Sequence, residues 1–435
     1  MKQTKQSKTV NIGLIGLGTV GSGVVKVIRA HASEIEKKTG IRLVLSRVCV
    51  RSLSKKRAVA VPRNILTQEY RKVTRDPKID IVVELIGGIH PAKEIIHDAF
   101  THGKHVVTAN KALLAEEGRF VFGDPAKLAK KLGFEASVCG GIPIIKSIKE
   151  GLASNRISWV LGIVNGTCNY ILSSMSKHKT EFAHALAQAQ ARGYAEADPK
   201  LDIEGIDSAH KLAILARLSF GAEIPFKQIH VEGIKGFSAH DIEYAKELGY
   251  SIKLLAVGKR HKDGLDLRVH PTMLPDDHPL AHVNGVYNAV LVKADQADDI
   301  LFYGRGAGML PTASAVMSDI IDIAKRISGQ IDMKANIPAA PQRLKLLPVD
   351  NIVSKYYLRF QVADKPGVLG DIAKTLGKNH ISILSVHQKE SHHEASVPVI
   401  ILTYAAREAD LKRALKQISA KKIVREKTTV IRVES

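Results

Sequence analysis

Strand-like and helix-like segments alternate through the first third of the sequence, and this alternation constrains the fold more than any other feature. Four runs rich in Val and Ile are almost continuously apolar, at 10–16, 43–50, 79–88 and 104–111. Such runs are typical of parallel strands that are buried on both faces. Because the segments between them are compatible with helices, the pattern predicts βαβ units in a doubly wound parallel α/β sheet.

A glycine motif, GLGTVG, joins the first predicted strand to the first predicted helix. In that context Gly16 permits a tight turn, Gly18 lets a pyrophosphate approach the backbone amides, and Gly21 permits close packing of helix on strand. Thr19 and Val20 then occupy the first helical turn, where the pyrophosphate binds. The motif predicts a bound dinucleotide, and the alternative is a glycine-rich turn without a ligand.

Cations, rather than the acid typical of strict NAD enzymes, follow the second strand. Arg51 comes first, and Lys55, Lys56 and Arg57 come next. Because cations suit a 2′-phosphate, the sequence favours NADP over NAD. The alternative is a solvated basic loop.

The ends of the later strands carry further candidate site residues, because ligands of open α/β sheets bind beyond the carboxyl ends of the strands. These residues are Gly87, Gly88, Thr108, Asn110 and Lys111. Lys111 is the only cation among them, and a lysine in a cleft is costly unless it has a partner or a task.

Five carboxylates fall within twelve residues directly before an apolar helical run, namely Glu196, Asp198, Asp202, Glu204 and Asp207. Lys211 lies four residues beyond Asp207, so the two share a helix face. A hydride delivered to a carbonyl carbon leaves negative charge on oxygen, which a nearby ammonium can stabilise and protonate. From the residues alone, the favoured interpretation is that the acids stabilise the helix dipole and that Asp207 and Lys211 form a surface ion pair.

The remainder of the chain predicts two further domains. Antiparallel strands at 251–260, 265–274 and 288–295 and a helix at 317–328 indicate an α+β layer. A segment with three prolines at 336–351 is typical of a linker. Beyond it, a β-α-β-β-α-β pattern predicts a small ferredoxin-like module.

Composition excludes several classes of protein. The net charge of +21 is spread along the chain and only 5% of residues are aromatic, which disfavours nucleic-acid binding. Three scattered cysteines indicate a reducing compartment. With no signal-like N-terminus and no apolar run of membrane-spanning length, we expect a cytoplasmic protein.

Seven motifs, in order and at matching intervals, resemble homoserine dehydrogenase over about residues 9–330: GLIGLGTVG, VVELIGG, TANKALLA, FEASVCGGIPII, GIVNGTCNYIL, GYAEADPKLDIEGIDSAHKLAILA and FYGRGAGMLPTASAV. DKPGVLGDIAKTLGKNHISILSV resembles an ACT domain, a small amino-acid-sensing module. The resemblance implies reversible NAD(P)H-dependent reduction of L-aspartate 4-semialdehyde to L-homoserine, for threonine, methionine and isoleucine synthesis.

The implied domains are a Rossmann domain at 1–137, completed by 300–330, a catalytic and dimerisation domain at 138–330, a linker at 331–351 and an ACT domain at 352–435. A homodimer or homotetramer is expected.

The resemblance also assigns roles to residues. Lys211 is the expected proton donor and acceptor, with Lys111 as the second cation, while position and charge suggest that Asp207 orients Lys211. Glu196 matches the homoserine-binding glutamate, and Asp202 is a second candidate for the substrate ammonium group. The expected cofactor residues are Gly16, Gly18, Thr19, Val20, Gly21, Arg51, Lys55, Gly87, Thr108, Lys111 and Gly306.

Two ligand sites are implied besides the active site. A structural sodium ion is expected at Glu135, Val138, Gly140 and Ile142. Threonine is expected as the effector, near Gly367, Val368, Leu369, Asn379 and Ile381. The alternative for the ACT module is a dimerisation unit that binds no ligand.

Other interpretations remain at this point. Cys139 raises aspartate-semialdehyde dehydrogenase as a rival, but its thioester chemistry needs a paired base and no histidine is close in sequence. His392 and His393 with Glu394 suggest a metal, but no further ligand is suitably spaced, so we predict a solvated turn. A non-catalytic nucleotide- and amino-acid-binding regulator is the alternative function.

Overall fold

The computed structural model describes residues 7–123, 132–331, 344–388, 396–421 and 423–434. His392, His393 and Glu394 lie outside these ranges. The strands, in chain order, are β1 (Lys8–Ile15), β2 (Ile41–Cys49), β3 (Leu66–Thr67), β4 (Ile81–Glu84), β5 (His105–Thr108), β6 (Leu132–Gly133), β7 (Ile157–Ile163), β8 (His230–Val231), β9 (Tyr250–His261), β10 (Gly264–Pro275), β11 (Tyr287–Ala294), β12 (Asp298–Arg305), β13 (Val353–Ala363), β14 (Ile383–Gln388), β15 (Ser396–Thr403), β16 (Ala406–Arg407) and β17 (Thr429–Val433).

The α-helices, in chain order, are α1 (Thr19–Thr39), α2 (Arg71–Thr74), α3 (Ala92–Thr101), α4 (Lys111–Glu116), α5 (Gly118–Phe122), α6 (Ile144–Lys146), α7 (Gly166–His178), α8 (Phe182–Ala191), α9 (Lys200–Ile203), α10 (Ile206–Phe220), α11 (Ala239–Glu247), α12 (Met309–Ile327), α13 (Val368–Lys378) and α14 (Glu408–Ala420). None of the helices in the described ranges is long and apolar enough to cross a membrane.

The chain divides into two compact units, each assembled from separate stretches of sequence. The first unit contains residues 1–160, 209–227 and 287–344, and the second contains 161–208, 228–286 and 345–435. The candidate lysines, Lys111 and Lys211, therefore belong to the first unit. The candidate acids at 196, 202 and 207 belong to the second.

The first unit is built on a six-stranded sheet in the order β3-β2-β1-β4-β5-β6, and every pair in it is parallel. β4 is buried along its whole length, as its uninterrupted Val- and Ile-rich sequence requires. Helix α12 packs on α1 so closely that a Cβ at Gly23 would lie 2.5 Å from the Met309 carbonyl oxygen. The predicted doubly wound sheet is confirmed.

The second unit contains the antiparallel pair β9–β10 and the C-terminal module. The module has the order β13, α13, β14, β15, β16, α14, β17, and apart from the two-residue strand β16 this confirms the predicted β-α-β-β-α-β pattern. Tyr356, Phe360, Ile372, Leu411 and Ile418 lie in its apolar core.

The last strand, β17, joins the module to the rest of its unit. It pairs antiparallel with β13 and parallel with β10, where Thr272 lies opposite Arg432. The end of the predicted linker is also held in place, since the Leu265 amide donates to the Lys345 carbonyl at 2.9 Å and the Leu347 amide donates to the Leu265 carbonyl at 2.8 Å. Residues 332–343 of that linker lie outside the described ranges.

Candidate active site

The glycine turn after β1 has the geometry of a phosphate-binding loop. Gly16 adopts a φ of +100°, and a Cβ there would lie 2.6 Å from the Leu85 carbonyl oxygen. A Cβ at Gly21 would lie 2.1 Å from the Gly16 carbonyl oxygen. At Gly18, by contrast, no described atom lies within 4 Å of the position of a Cβ. Close packing therefore leaves no room for a side chain at Gly16 or Gly21, whereas at Gly18 the backbone is open to a ligand.

The N-terminus of α1 faces the same open position. Gly18 is the N-cap residue, so no side chain satisfies the first amide groups, and the first turn contains no acid. Thr19 is exposed and Val20 is half-buried. Free amides and a positive dipole end suit a pyrophosphate, so the residues present fit the expected dinucleotide.

A basic cleft of about 690 Å³ adjoins the glycine turn through Leu17. Lys55, Arg57 and Arg63 line it, and no carboxylate of the described chain does so. The Arg57 guanidinium donates to the Lys55 carbonyl at 2.8 Å, which fixes the loop. Arg51 does not line this cleft. Sequence reasoning missed Arg63, because it lies beyond the basic run.

A buried carboxylate, Glu84, organises the ends of β4 and β5. It accepts hydrogen bonds from the Thr108 hydroxyl at 2.6 Å and from the Ile86 amide at 2.8 Å. Burial raises the pKa of Glu84, and hydrogen bonds from Thr108, Ile86, Gly87 and Asn110 oppose that shift. Glu84 therefore ties the turn after β4 to the end of β5, where the cofactor is expected. The sequence signal for this role is an acid at the end of an otherwise apolar strand.

We expect Glu84→Gln to weaken NADPH binding about tenfold, because the new amide group would face hydrogen-bond donors and leave one buried donor unsatisfied. The measurement is the dissociation constant of NADPH, from quenching or enhancement of fluorescence. Glu69→Gln, which changes an exposed glutamate of the same unit, is the matched control. Equal affinities in the two variants would show that Glu84 does not shape the cofactor site.

Lys111 lies on α4 and Lys211 lies on α10, and a side-chain contact joins these two helices. Asn110 caps α4, since its side-chain oxygen accepts from the Leu113 amide at 3.1 Å, and Lys111 is the first helical residue. At the other end of α4, Glu116 lies 2.7 Å from Nε2 of His210. Because His210 directly precedes Lys211 on α10, this contact fixes the helix that carries Lys211 against the helix that carries Lys111. Both lysines are half-buried.

The Asn165 side chain forms hydrogen bonds with two of the candidate acids. The Asn165 side-chain nitrogen donates to Asp202 at 2.7 Å and to Asp207 at 2.8 Å, and its oxygen accepts from the Cys168 amide at 2.8 Å. The sequence predicted the acids but not this bridge. Asn165 follows β7 and caps α7, so its position indicates a helix cap and nothing more.

The other acids of the stretch have different surroundings. Glu196 is exposed on the loop before α9. Its main-chain carbonyl accepts a hydrogen bond from the Gln190 side-chain nitrogen at 3.2 Å. The Asp198 carboxylate accepts from the Lys200 amide two residues later, at 3.2 Å, which is a local turn contact just before α9. Glu204 is half-buried between α9 and α10. Asp207 is almost fully buried, and Lys211 lies one turn beyond it on α10.

The expected sodium turn is buried and rich in hard oxygen donors. Cys139 and Gly140 have φ values of +53° and +35°, and a Cβ at Gly140 would lie 2.6 Å from the Gly306 carbonyl oxygen. The Glu135 carboxylate accepts from the Ile145 amide at 2.9 Å. Its other oxygen accepts from the Lys146 amide at 2.8 Å, and Val138, Gly140 and Ile142 are buried residues. A carboxylate and main-chain carbonyls are the ligand types that hard cations take, so the donor types of the expected set fit such an ion.

Two buried acids meet at this turn. Asp319 accepts from the Glu135 amide at 2.8 Å. Burial raises the pKa of Asp319 to about 7 and also raises that of Glu135. Within the described residues, no group of three or more His, Cys, Asp or Glu could hold a metal.

The expected effector residues fall into two groups. Gly367, with a φ of +87°, is the N-cap of α13, and Leu369 in its first turn is exposed. The side chains of Val368, Ile381 and Asn379 are instead buried in the module. The Asn379 side-chain nitrogen donates to the Gln417 side-chain oxygen at 2.9 Å, so this side chain forms a hydrogen bond inside the module.

Comparison with known proteins identifies the family. Family models match residues 16–131 (homoserine dehydrogenase, NAD binding domain), 143–321 (homoserine dehydrogenase) and 356–422 (ACT domain). The homoserine dehydrogenase of Neisseria gonorrhoeae is 46% identical over 432 residues, covering 98% of this chain and 99% of that one. The chain belongs to the homoserine dehydrogenase family.

Solved structures agree with that assignment. The homoserine dehydrogenase of Thiobacillus denitrificans is 44% identical, covers 98% of this chain and 99% of its own, and superposes with a TM-score of 0.91. A hyperthermophilic archaeal homoserine dehydrogenase mutant, solved in complex with NADPH, is 26% identical with a TM-score of 0.61. It covers 75% of this chain and all of its own.

Proposed function

We propose that the chain catalyses the reversible reduction of L-aspartate 4-semialdehyde to L-homoserine with NADPH. The observation that carries the proposal is α10, which holds Asp207 and Lys211 one turn apart while Asn165 joins Asp207 to Asp202. A lysine that follows a set of acids by one helical turn is what an aldehyde bearing an ammonium group at its other end would require, and this pairing is the basis of the proposal.

In the mechanism, Lys211 supplies the proton that the reaction consumes. When bound, NADPH provides the hydride for the aldehyde carbon. The Lys211 ammonium stabilises the developing oxyanion and protonates it to the hydroxyl. Asp207 orients the ammonium group, and Lys111 adds a second positive charge. In the oxidative direction, neutral Lys211 accepts the hydroxyl proton of homoserine.

The acids bind the amino end of the substrate. Glu196 and Asp202 accept hydrogen bonds from the α-ammonium group, and Asn165 holds Asp202 in place. Cys139 is 1% exposed and accepts a hydrogen bond from the Asn288 side-chain nitrogen at 3.6 Å, and the proposal assigns it no catalytic role.

Cofactor preference rests on the basic cleft. We expect Arg57→Ala to raise the KM for NADPH about 10–100-fold, because a charge-assisted hydrogen bond to the 2′-phosphate contributes about 1.5–3 kcal/mol. The KM for NADH should stay within twofold. Lys56→Ala, an exposed cation of the same run that does not line the cleft, is the control. An equal change with both cofactors would contradict the phosphate clamp.

Three further assignments complete the proposal. A sodium ion at Glu135, Val138, Gly140 and Ile142 would be held mainly by main-chain oxygens and would fix the turn. Threonine acts as the effector at the start of α13, near Gly367 and Leu369, both of which are exposed. The enzyme works as a homodimer or homotetramer in threonine, methionine and isoleucine synthesis.

The test is NADPH consumption with L-aspartate 4-semialdehyde, with and without threonine. Consumption that threonine suppresses would support the enzyme and its sensor together. Consumption that threonine leaves unchanged would reject the sensor and retain the enzyme. A folded, NADPH-binding protein that consumes nothing would favour the non-catalytic regulator.

A further inference from the structure

The last strand of the chain carries a buried arginine that connects the C-terminal module to the segment after β8. Arg432 is 4% exposed and donates to both carboxylate oxygens of Glu408, at 3.0 and 2.7 Å. Its remaining Nη lies 3.0 Å from Glu232 Oε1. The guanidinium therefore binds one carboxylate of its own module and one that lies outside the module.

Glu232 is fixed from three sides. Besides Arg432, its side chain meets Nε2 of His230 at 2.6 Å, and its amide donates to the Val269 carbonyl at 2.7 Å. Burial raises the pKa of Glu232, but the His230 contact and the charge of Arg432 outweigh it and lower the pKa to about 2. The carboxylate stays ionised throughout the physiological range.

The main chain after Glu232 contacts the main chain of the turn at Ile203 and Glu204. The Ile234 amide donates to the Ile203 carbonyl at 2.7 Å. A Cβ at Gly233 would lie 2.1 Å from that same carbonyl oxygen and 2.5 Å from the Glu204 Cα. With no side chain between the two segments, a displacement of one must displace the other.

The turn at Ile203 directly follows Asp202. The Asp202 carbonyl accepts from the Cys168 thiol at 3.1 Å, and its carboxylate accepts from Asn165. Asn165 in turn holds Asp207. A continuous set of contacts within one unit thus runs from the last strand to the acids.

We infer that Arg432 and Glu232 are positioning residues for the substrate acids. Arg432 fixes Glu232, and the Gly233–Ile234 segment then fixes the turn that carries Asp202. This inference rests on the proposed role of Asp202 in binding the substrate ammonium group. It gives the C-terminal module a part in substrate binding that does not depend on an effector.

The test uses the full-length protein with Glu232→Gln, which keeps the size of the side chain and removes its charge. We expect the KM for L-aspartate 4-semialdehyde to rise about tenfold, a typical effect for contacts within one network. The KM for NADPH should stay within twofold, because the cofactor residues belong to the other unit. Glu243→Gln is the matched control, since Glu243 is 45% exposed against 40% for Glu232 and also forms an ion pair in the same unit.

Arg432→Met completes a double-mutant cycle. If the two residues act through one contact, the KM of the double variant for the aldehyde should equal that of the worse single variant. If they act independently, the two fold-increases in KM should multiply. Should Arg432→Met fail to fold, Glu232→Gln decides alone, because its side chain is half-exposed.

Three results would overturn the inference. They are an unchanged KM for the aldehyde in Glu232→Gln, an equal rise in the KM for NADPH, and the same change in the Glu243→Gln control. If the wild-type protein did not reduce the aldehyde at all, the proposed function would fail first, so the two failures are distinguishable.

Discussion

Replacing Lys211 by methionine should abolish most of the turnover and leave NADPH binding intact. General acid–base groups contribute about 10²–10⁴-fold to rate, and Lys211 also stabilises the oxyanion, so we expect kcat to fall about 10³-fold or more in both directions. Methionine matches the four-atom apolar stem of lysine and lacks only the terminal ammonium group, which limits the effect on packing. The measurement is kcat with the aldehyde and with homoserine, alongside the dissociation constant of NADPH.

Lys200→Met is the control for this variant. Lys200 is an exposed cation of the same acidic stretch, at the start of α9, and its replacement should leave kcat within twofold. Turnover of Lys211→Met at more than a tenth of the wild-type rate would remove this lysine from the mechanism. A parallel loss of NADPH binding would instead indicate a misplaced α10.

Deleting residues 345–435 should cost the enzyme its fold, and not merely its response to threonine. The deletion strips β17 from the edge of β10 and removes Glu434, which forms ion pairs with Lys259 and with the 2% exposed Arg268. Breaking one buried pair costs about 3–5 kcal/mol, comparable with the whole stability of many proteins. We expect little soluble protein, measured by thermal unfolding and by activity in the soluble fraction.

A soluble truncated enzyme with unchanged kcat/KM for the aldehyde would contradict this expectation. Glu434→Gln is the graded variant, since it removes one charge and keeps β17. It should lower the unfolding temperature without preventing folding.

Local pattern predicted most of the nucleotide side of the molecule. The apolar runs, the glycine spacing and the helix that follows depend on residues near each other in sequence, and the parallel sheet confirms them. Even there, the predicted site residues did not include Glu84. A carboxylate among buried valines always needs a partner, so it could have been predicted to bind donors.

Tertiary contacts account for what the sequence did not reveal. The bridge from Asn165 to Asp202 and Asp207 joins residues that are far apart in the chain, and an asparagine after a strand indicates only a helix cap. The parallel pairing of β17 with β10 could not be predicted either. The sequence of each strand is compatible with a position at the edge of a sheet and does not indicate a further partner. The sequence predicted the C-terminal module as a domain at 352–435 that follows a linker, but it did not indicate that this module shares a sheet with β10.

The most direct test of the account compares two aldehydes with the wild-type enzyme and NADPH. L-aspartate 4-semialdehyde carries the α-ammonium group, and succinate semialdehyde is the same chain without it. The account predicts conversion of the first to L-homoserine, and a kcat/KM at least about 100-fold lower for the second, because buried or fixed acids lose their cationic partner. Equal use of the two aldehydes, or no reaction of the first with a folded protein that binds NADPH, would contradict the account.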